Sequence, residues 1–315
     1  MTTPADYSGI LLWLPSAYPQ YMWEGAVEGS DNPDVDDPIY NIETQISSRV
    51  LATLADSRRP ILRNDGTRRS VDFNSGPEKY FRLAGSTGVF NNFHVNGVGT
   101  IFLNVKFNSA TTTGTQVLLN NNNATTGQTG LHLFRDANEN MRFNVTRSDP
   151  GNNVVAFTST DTITDTNWHS IKIKIAPGAN NCSFQIDSGT VDTATVGTTT
   201  VGDANQLLVI GQRSDLVDSS PCNAQISDLI ILDQVIDSDD ETHWDSWNPP
   251  LFGLQTLEPS SIATAEAFGS HTIEALSVGG GGIEDQWFWS KRGWLNWYTN
   301  KYQFRSWYFP SNFRK

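Results

Sequence analysis

The densest group of side chains able to make strong contacts is Gln286–Phe309 (QWFWSKRGWLNWYTNKYQFRSWYF), which holds five of the ten tryptophans. Trp287, Trp289, Trp294, Trp297, Tyr298, Tyr302, Phe304, Arg305 and Trp307 set aromatic faces beside a guanidinium, the chemistry of interface hot spots. Lys291, Arg292, Lys301 and Arg305 interrupt every apolar run, so the segment is not a membrane-spanning helix. Trp287/Trp289 and Tyr302/Phe304 follow strand alternation rather than helical spacing. The expectation is a basic, aromatic tail over 283–315 that docks onto a partner subunit; the alternative is a small hairpin packed against the chain's own body.

Other reactive residues are sparse. Asp34, Asp36 and Asp37, with Asp31, lie in an acidic, proline-punctuated stretch (Ser30–Asp37) and could hold Ca²⁺, which takes several oxygens from a flexible loop. A solvated acidic loop explains the same residues, and no other cofactor is expected. The five histidines (His94, His132, His169, His243, His271) show no metal-ligand pairing, and HExxH, CxxC, P-loop and GxSxG motifs are absent. Cys182 and Cys222 read as two buried thiols, with one disulfide as the alternative.

The elements that must position these residues are strands. Charged residues are only 17% of the chain against 37% hydrophobic, which suits many strands joined by Gly, Asn and Thr turns. Strand patterns run through Gly9–Leu14, Ser70–Phe73, Gly99–Phe107, Gln116–Leu119, Gly130–Phe134, Asn140–Thr146, Asn153–Thr158, His169–Ile175, Cys182–Ile186, Gln206–Gly211 and Gln225–Leu232. Their spacing is that of an all-β sandwich or jelly roll. Two helices are expected, Asp237–Trp244 and Tyr40–Leu54. Asn248-Pro-Pro250 closes the body at 1–250, and a linker follows over 251–282, ending in the glycines of Gly279–Gly282. Residues 284–315 carry a net +4, leaving −17 on the rest of a chain whose total is −13, so nucleic acid is not an expected partner. The early apolar run Ile10–Leu14 is far short of the roughly 20 residues of a membrane span. It also lacks a basic n-region, so no signal peptide and no membrane insertion are expected.

Asp6–Leu14 (DYSGILLWL), Arg59–Gly66 (RPILRNDG), Val71–Asn74 with Tyr80–Leu83, Asn167–Ile173 (NWHSIKI) and Ile226–Leu232 together resemble, in order, the signature stretches of concanavalin A-like, laminin-G-like modules. The resemblance implies a jelly-roll sandwich over about three quarters of the chain. This fold hosts lectins, adhesion modules and glycosidases alike. Where related modules place an acid in the turn after the V-x-F strand, this chain reads Phe73-Asn-Ser-Gly-Pro-Glu78, which removes one oxygen donor from any calcium site there. Glycosidases of the fold carry a spacing such as E-x-D-x-x-E on one strand, yet no glutamate here has an acid two positions later. Asp228 and Asp233 differ by an odd number and fall on opposite faces. Trp168 and His169 therefore read as core and edge residues rather than a catalytic pair. Sugar binding would draw on rim aromatics and amides, for which Tyr18, Tyr21, Trp23, Asn121 and Asn122 are candidates, although plain loop residues need no function.

A second segment, Pro259–Gly269 (PSSIATAEAFG), resembles a short stretch found repeatedly in structural proteins of tailed bacteriophages. With it, the leading expectation is a non-enzymatic protein of the virion surface, a capsid decoration or fibre subunit. Its partners would be capsid or tail proteins of the same virion, cell-surface glycans, and further copies of itself in a homo-oligomer. The alternative is a free carbohydrate-binding or adhesion module, and after that a glycoside hydrolase.

Overall fold

The computed structural model describes residues 9–16, 21–24, 32–44, 49–53, 56–66, 68–74, 79–122, 128–147, 153–216, 222–236, 241 and 244, together with the backbone of four strands beyond 273. The chain divides into two units, Thr2–Phe252 and Gly253–Lys315, the latter with Met1.

The larger unit is built from strands β1 (Ile10–Pro15), β2 (Met22–Trp23), β3 (Asn41–Thr44), β4 (Arg49–Ala52), β5 (Ile61–Asn64), β6 (Arg69–Asp72), β7 (Phe81–Leu83), β8 (Gly99–Phe107) and β9 (Gln116–Asn120). It continues with β10 (Gly130–Arg135), β11 (Asn140–Thr146), β12 (Asn153–Thr162), β13 (Trp168–Ile175), β14 (Cys182–Ile186), β15 (Val191–Ala194), β16 (Val209–Ile210) and β17 (Ala224–Leu232). They form two antiparallel sheets. The eight-stranded sheet runs β15-β14-β13-β8-β17-β6-β5, with β1 also on β17; the nine-stranded sheet runs β12-β11-β10-β9-β16-β7-β4-β3-β2. This is the all-β jelly-roll sandwich expected from the strand spacing.

Alternation explains the core. In β8, Ile101, Leu103, Val105 and Phe107 point between the sheets, where they meet Leu119, Leu133 and Phe143 of the opposite layer. The other side of β8 is half apolar. Phe102 joins Trp13, Ile230, Leu232, Ile236 and Trp244 in a second, smaller cluster on the outside of the eight-stranded sheet. Trp244 stacks on Phe102 with ring centroids 4.7 Å apart and donates its indole N–H to Ser170 Oγ at 2.8 Å. Glu241 and Trp244 are helical, while the rest of Asp237–Trp244 lies outside the described residues.

The expected helix over Tyr40–Leu54 is instead the pair β3 and β4, in which Ile42 faces Leu51. Both residues are fully buried, and the pairing delivers them to the core while Asn41 and Ala52 point the other way. The expected strand Gln206–Gly211 contracts to β16. Cys182 and Cys222 are both buried and free, and burial pushes both thiols above their usual range.

Register defects decide where two charges sit. Between Ile226 and Asp228 the pairing of β17 with β8 slips by one residue. Unbroken alternation from the inward-facing Ile226 would place Asp228 in the core. The extra residue, Ser227, moves Asp228 to the opposite face of the sheet, where it is buried near Arg68, whose charge it supports, and returns Leu229 and Ile231 to the main core. Before Arg135 the pairing of β10 with β9 also slips, but the extra residue, Leu118, is on β9. The alternation of β10 therefore runs on, and Arg135 stays at an inward position, completely buried. Its guanidinium donates to the carbonyls of Ser109 (2.9 Å), Ile163 (2.7 Å) and Ala110, and lies over the Phe107 ring at 4.6 Å. It thereby ties two loops to the core edge. His94, also fully buried, has no hydrogen-bond partner on either ring nitrogen, and burial lowers its pKa to about 4.

The smaller unit contains an antiparallel sheet of β18 (Glu274–Ser277), β19 (Gln286–Ser290), β20 (Gly293–Asn296) and β21 (Arg305–Ser306), in that order. Trp287 and Trp289 lie on β19, opposite Asn296 and Trp294 of β20, and Arg305 lies on β21. Trp297, Tyr298, Tyr302, Phe304 and Trp307 lie outside the described residues, as does Pro259–Gly269.

Replacing Arg135 by Met fills the space without supplying donors, leaving three carbonyls to lose charge-assisted bonds. Urea unfolding of Arg135→Met is expected to show a loss of about 3–5 kcal/mol. A change under 1 kcal/mol would mean that these bonds contribute nothing net.

Candidate functional site

The pairing of the nine-stranded sheet draws one residue from each strand into a row. Trp23 faces Asn41, Asn41 faces Ala52, Ala52 faces Arg82, and Arg82 faces Val209. The row continues through Asn120, His132, Asn144 and Ala156. Residues one position along these strands (Leu51, Leu83, Ile210, Leu119, Leu133, Phe143) belong to the core, so the row lies on the outer face.

A polar ridge crosses the middle of the row. Ser214 donates its backbone N–H to Asn120 Oδ1 at 2.9 Å and its hydroxyl to the Asn122 carbonyl. Asn120 Nδ2 donates to Asn122 Oδ1 at 2.9 Å, and Asn122 Nδ2 to Thr146 Oγ1 at 2.9 Å. The turn into the ridge requires Gly211, which has φ +91°; a Cβ there would meet the Phe73 ring at 2.2 Å. The ridge buries Val209 and Asn120 and leaves two partly exposed patches, one around Arg82 and one around His132 and Asn144.

The second patch carries aromatic faces. His132 and Phe134 are successive outward residues of β10, both half-buried, with ring centroids 4.3 Å apart and planes inclined by 27°. Asn144 pairs with His132, and Arg142 with Phe134. Arg142 is held by Asp136 at 2.6 Å, and Arg213 on the ridge by Asp215 at 2.6 Å. Burial, aided by the Arg213 charge, lowers the His132 pKa to about 3, so the imidazole is neutral and presents a π-face rather than a cation. A two-ring platform beside amide and guanidinium donors is suited to stack on the apolar face of a sugar ring and bond its hydroxyls.

The candidates from sequence distribute around this face. Trp23 occupies the far end of the row but is only 7% exposed, so its faces are spent on packing. Asn122 is part of the ridge. Asn121 is buried and accepts the Leu131 N–H, both structural tasks. Tyr21 is half-buried just before β2, and Tyr18 lies outside the described residues. Asp34, Asp36 and Asp37 form a turn: Asp37 Oδ2 accepts the Asp34 N–H at 3.0 Å, and Asp36 pairs with Arg63, which also reaches Asp72 at 3.2 Å. Among the described residues no group of three or more His, Cys, Asp or Glu is arranged to hold a metal ion.

His132, Phe134, Arg82 and Asn144 were not singled out from sequence, though a signal was present. In Gly130–Arg135 (GLHLFR) an aromatic occupies an outward position and an arginine an inward one, reversing the usual pattern. On the other sheet Trp168 and His169 brace a rim. Trp168 donates its indole N–H to Asp65 at 2.9 Å beneath Arg68 and Lys106. His169 lies between Asp187 (2.8 Å) and Asp165 (2.9 Å), which raise its pKa.

A two-sheet antiparallel jelly roll with a polar and aromatic outer face is a lectin-type sandwich. Residues 65–240 match the concanavalin A-like lectin/glucanases superfamily, and the chain belongs to that family. None of the curated proteins matches it. Among solved structures it is similar to the binding domain of botulinum neurotoxin serotype D/C VPI 5993, with TM-score 0.46 and 10% identity over 77% of this chain and 52% of that one. The binding domain of neurotoxin DC in complex with SialylT gives TM-score 0.44 and 10% identity over 77% and 52%. A structure of neurotoxin type C, whose cell entry depends upon two ganglioside molecules, gives 0.43 and 12% over 66% and 50%. The chain spans about half the length of these solved chains.

The three histidines should separate in an NMR titration. His132 and His94 remain neutral from pH 8 to 5, whereas His169 protonates above the usual 6.5. In the unfolded chain all three titrate near 6.5. His94 therefore withdraws stability as pH falls from about 6.5 to 4, and His132 from about 6.5 to 3, because only the unfolded state binds those protons. His169 acts the other way, its contribution being complete below pH 6.5 and lost as pH rises through its raised pKa. Titration of His132 near 6.5 would contradict its desolvated, stacked placement.

Proposed function

We propose that the sandwich is a carbohydrate-binding module that binds saccharide on the outer face of the nine-stranded sheet without cleaving it. The observation that carries this reading is the stacked His132–Phe134 pair beside Asn144 and Arg142. Membership of a family of lectins and glucanases supports it. Binding rather than hydrolysis is favoured because the sequence lacks the one-strand acid spacing of such hydrolases, and because Asp136 and Asp215 beside the platform are each engaged by an arginine.

Support for the finer reading, a module displayed on a virion surface, is confined to sequence: Pro259–Gly269 and the aromatic tail. In that setting, many copies would compensate for weak single-site binding.

A glycan array followed by calorimetry tests the binding reading. The full chain is expected to retain a subset of saccharides and release no reducing ends. Phe134→Ala, at a half-buried surface position, is expected to weaken binding at least about tenfold, the scale of one lost stacking contact, with the melting temperature nearly unchanged. Undiminished binding by Phe134→Ala would remove the platform from the site, and hydrolysis would overturn the non-catalytic reading.

A further inference from the structure

We propose that the patch around Arg82 recognises a carboxylate, so that the preferred ligand is an acidic saccharide. The inference rests on the carbohydrate-binding reading and narrows it to a ligand class.

The argument begins from how arginines on this molecule are spent. Arg142 pairs with Asp136, Arg213 with Asp215, and Arg63 with Asp36 and Asp72. Arg135 is satisfied at its terminal nitrogens by backbone carbonyls. Arg82 differs. It makes no hydrogen bond or ion pair among the described residues; its Nε–H is buried without an acceptor, as are those of Arg135 and Arg213, but its terminal nitrogens have none either. Its cross-strand neighbours are Ala52 and Val209, which have no acceptor to offer and are too short to cover a guanidinium. In a chain with 34 acids against 21 lysines and arginines, a carboxylate partner would be easy to supply, yet among the described residues none pairs with it.

A half-buried guanidinium with a desolvated donor is costly to leave unmatched. Its fork of N–H groups fits a carboxylate in two parallel bonds, geometry that a hydroxyl cannot offer. Position links this charge to the sugar platform. Arg82 is on β7 and His132 on β10, three strand steps away in the same row, or roughly 14 Å at about 4.8 Å per step. A short oligosaccharide lying across the ridge spans that distance, one ring on His132–Phe134 and an acidic ring at Arg82. The ridge between them is closed, since Asn122 and Ser214 are buried and bonded within it, and it acts as a spacer.

The test uses the full chain and pairs of oligosaccharides, uronate- and sialate-bearing, each beside its carboxyl-reduced neutral counterpart. Calorimetry is expected to give at least about tenfold tighter binding to the acidic member of a pair, weakening as salt is raised. Arg82→Gln should abolish that preference, so that the acidic and neutral members of a pair bind alike; Arg82→Lys, which keeps the charge but loses the fork, should restore part of it. Thermal melts confirm that both variants fold. If acidic and neutral members bind alike, and Arg82→Gln alters neither, the carboxylate assignment fails and the carbohydrate reading stands. If sulfated sugars bind as tightly as carboxylates and Arg82→Lys equals wild type, the site reads charge alone and the assignment also fails. If no saccharide binds, both readings fall together.

Discussion

Everything on this molecule hangs on the register of β8 against its two neighbours. Eight consecutive residue pairs join it to β13, and eight more join it to β17. Because side chains alternate with period two, a one-residue slip would turn Ile101, Leu103, Val105 and Phe107 out of the core and bring Asn104 and Lys106 in. Two buried layers therefore protect the alignment, the main core on one side and the Trp13–Phe102–Trp244 cluster on the other. The Ser227 bulge shows the same constraint from the opposite direction, since one inserted residue suffices to turn Asp228 away from the main core to the other face of the sheet, where it is still buried.

Polar groups inside the sandwich act as fixed points rather than chemistry. The Arg135 guanidinium gathers carbonyls from the loops after β8 and β12. The Asp136 carboxylate holds the β10–β11 turn through the N–H groups of Asn138 (2.8 Å) and Asn140 (3.2 Å) as well as Arg142. A buried charge can be retained only when its bonds are nearly complete. These residues consequently rigidify the strands that carry His132, Phe134 and Asn144. Arg82 contrasts with these residues as a charge without such bonds among the described residues.

The outer face of the nine-stranded sheet is also electrostatically distinct from the molecule as a whole. The chain is acidic, yet this face presents Arg82 beside the ion pairs Arg142–Asp136 and Arg213–Asp215, with an imidazole that burial keeps uncharged. Neutral aromatic surface and oriented donors thus lie together, while the ridge of Asn120, Asn122 and Ser214 fixes the distance between the two patches.

The sequence by itself determined the fold class and its longest strands. β8, β11 and β14 appear with their full bounds in GTIFLNVKF, NMRFNVT and CSFQI, because five to nine residues of alternation against a buried layer leave a readable period. Strands of two to four residues, such as β2, β3, β4 and β7, are too short to show one, which is why Tyr40–Leu54 read as a helix. The candidate site was barely legible. Trp23 and Asn122 were reached through residue type alone, whereas Arg82 and His132, fifty residues apart, fall in one row only through three intervening strand pairings. Only the tertiary structure decided which side chains share that face and that Arg82 has no hydrogen bond or ion pair among the described residues. The physical reason is that an antiparallel sheet aligns residues by hydrogen-bond register across strands, and sequence separation carries almost no record of it.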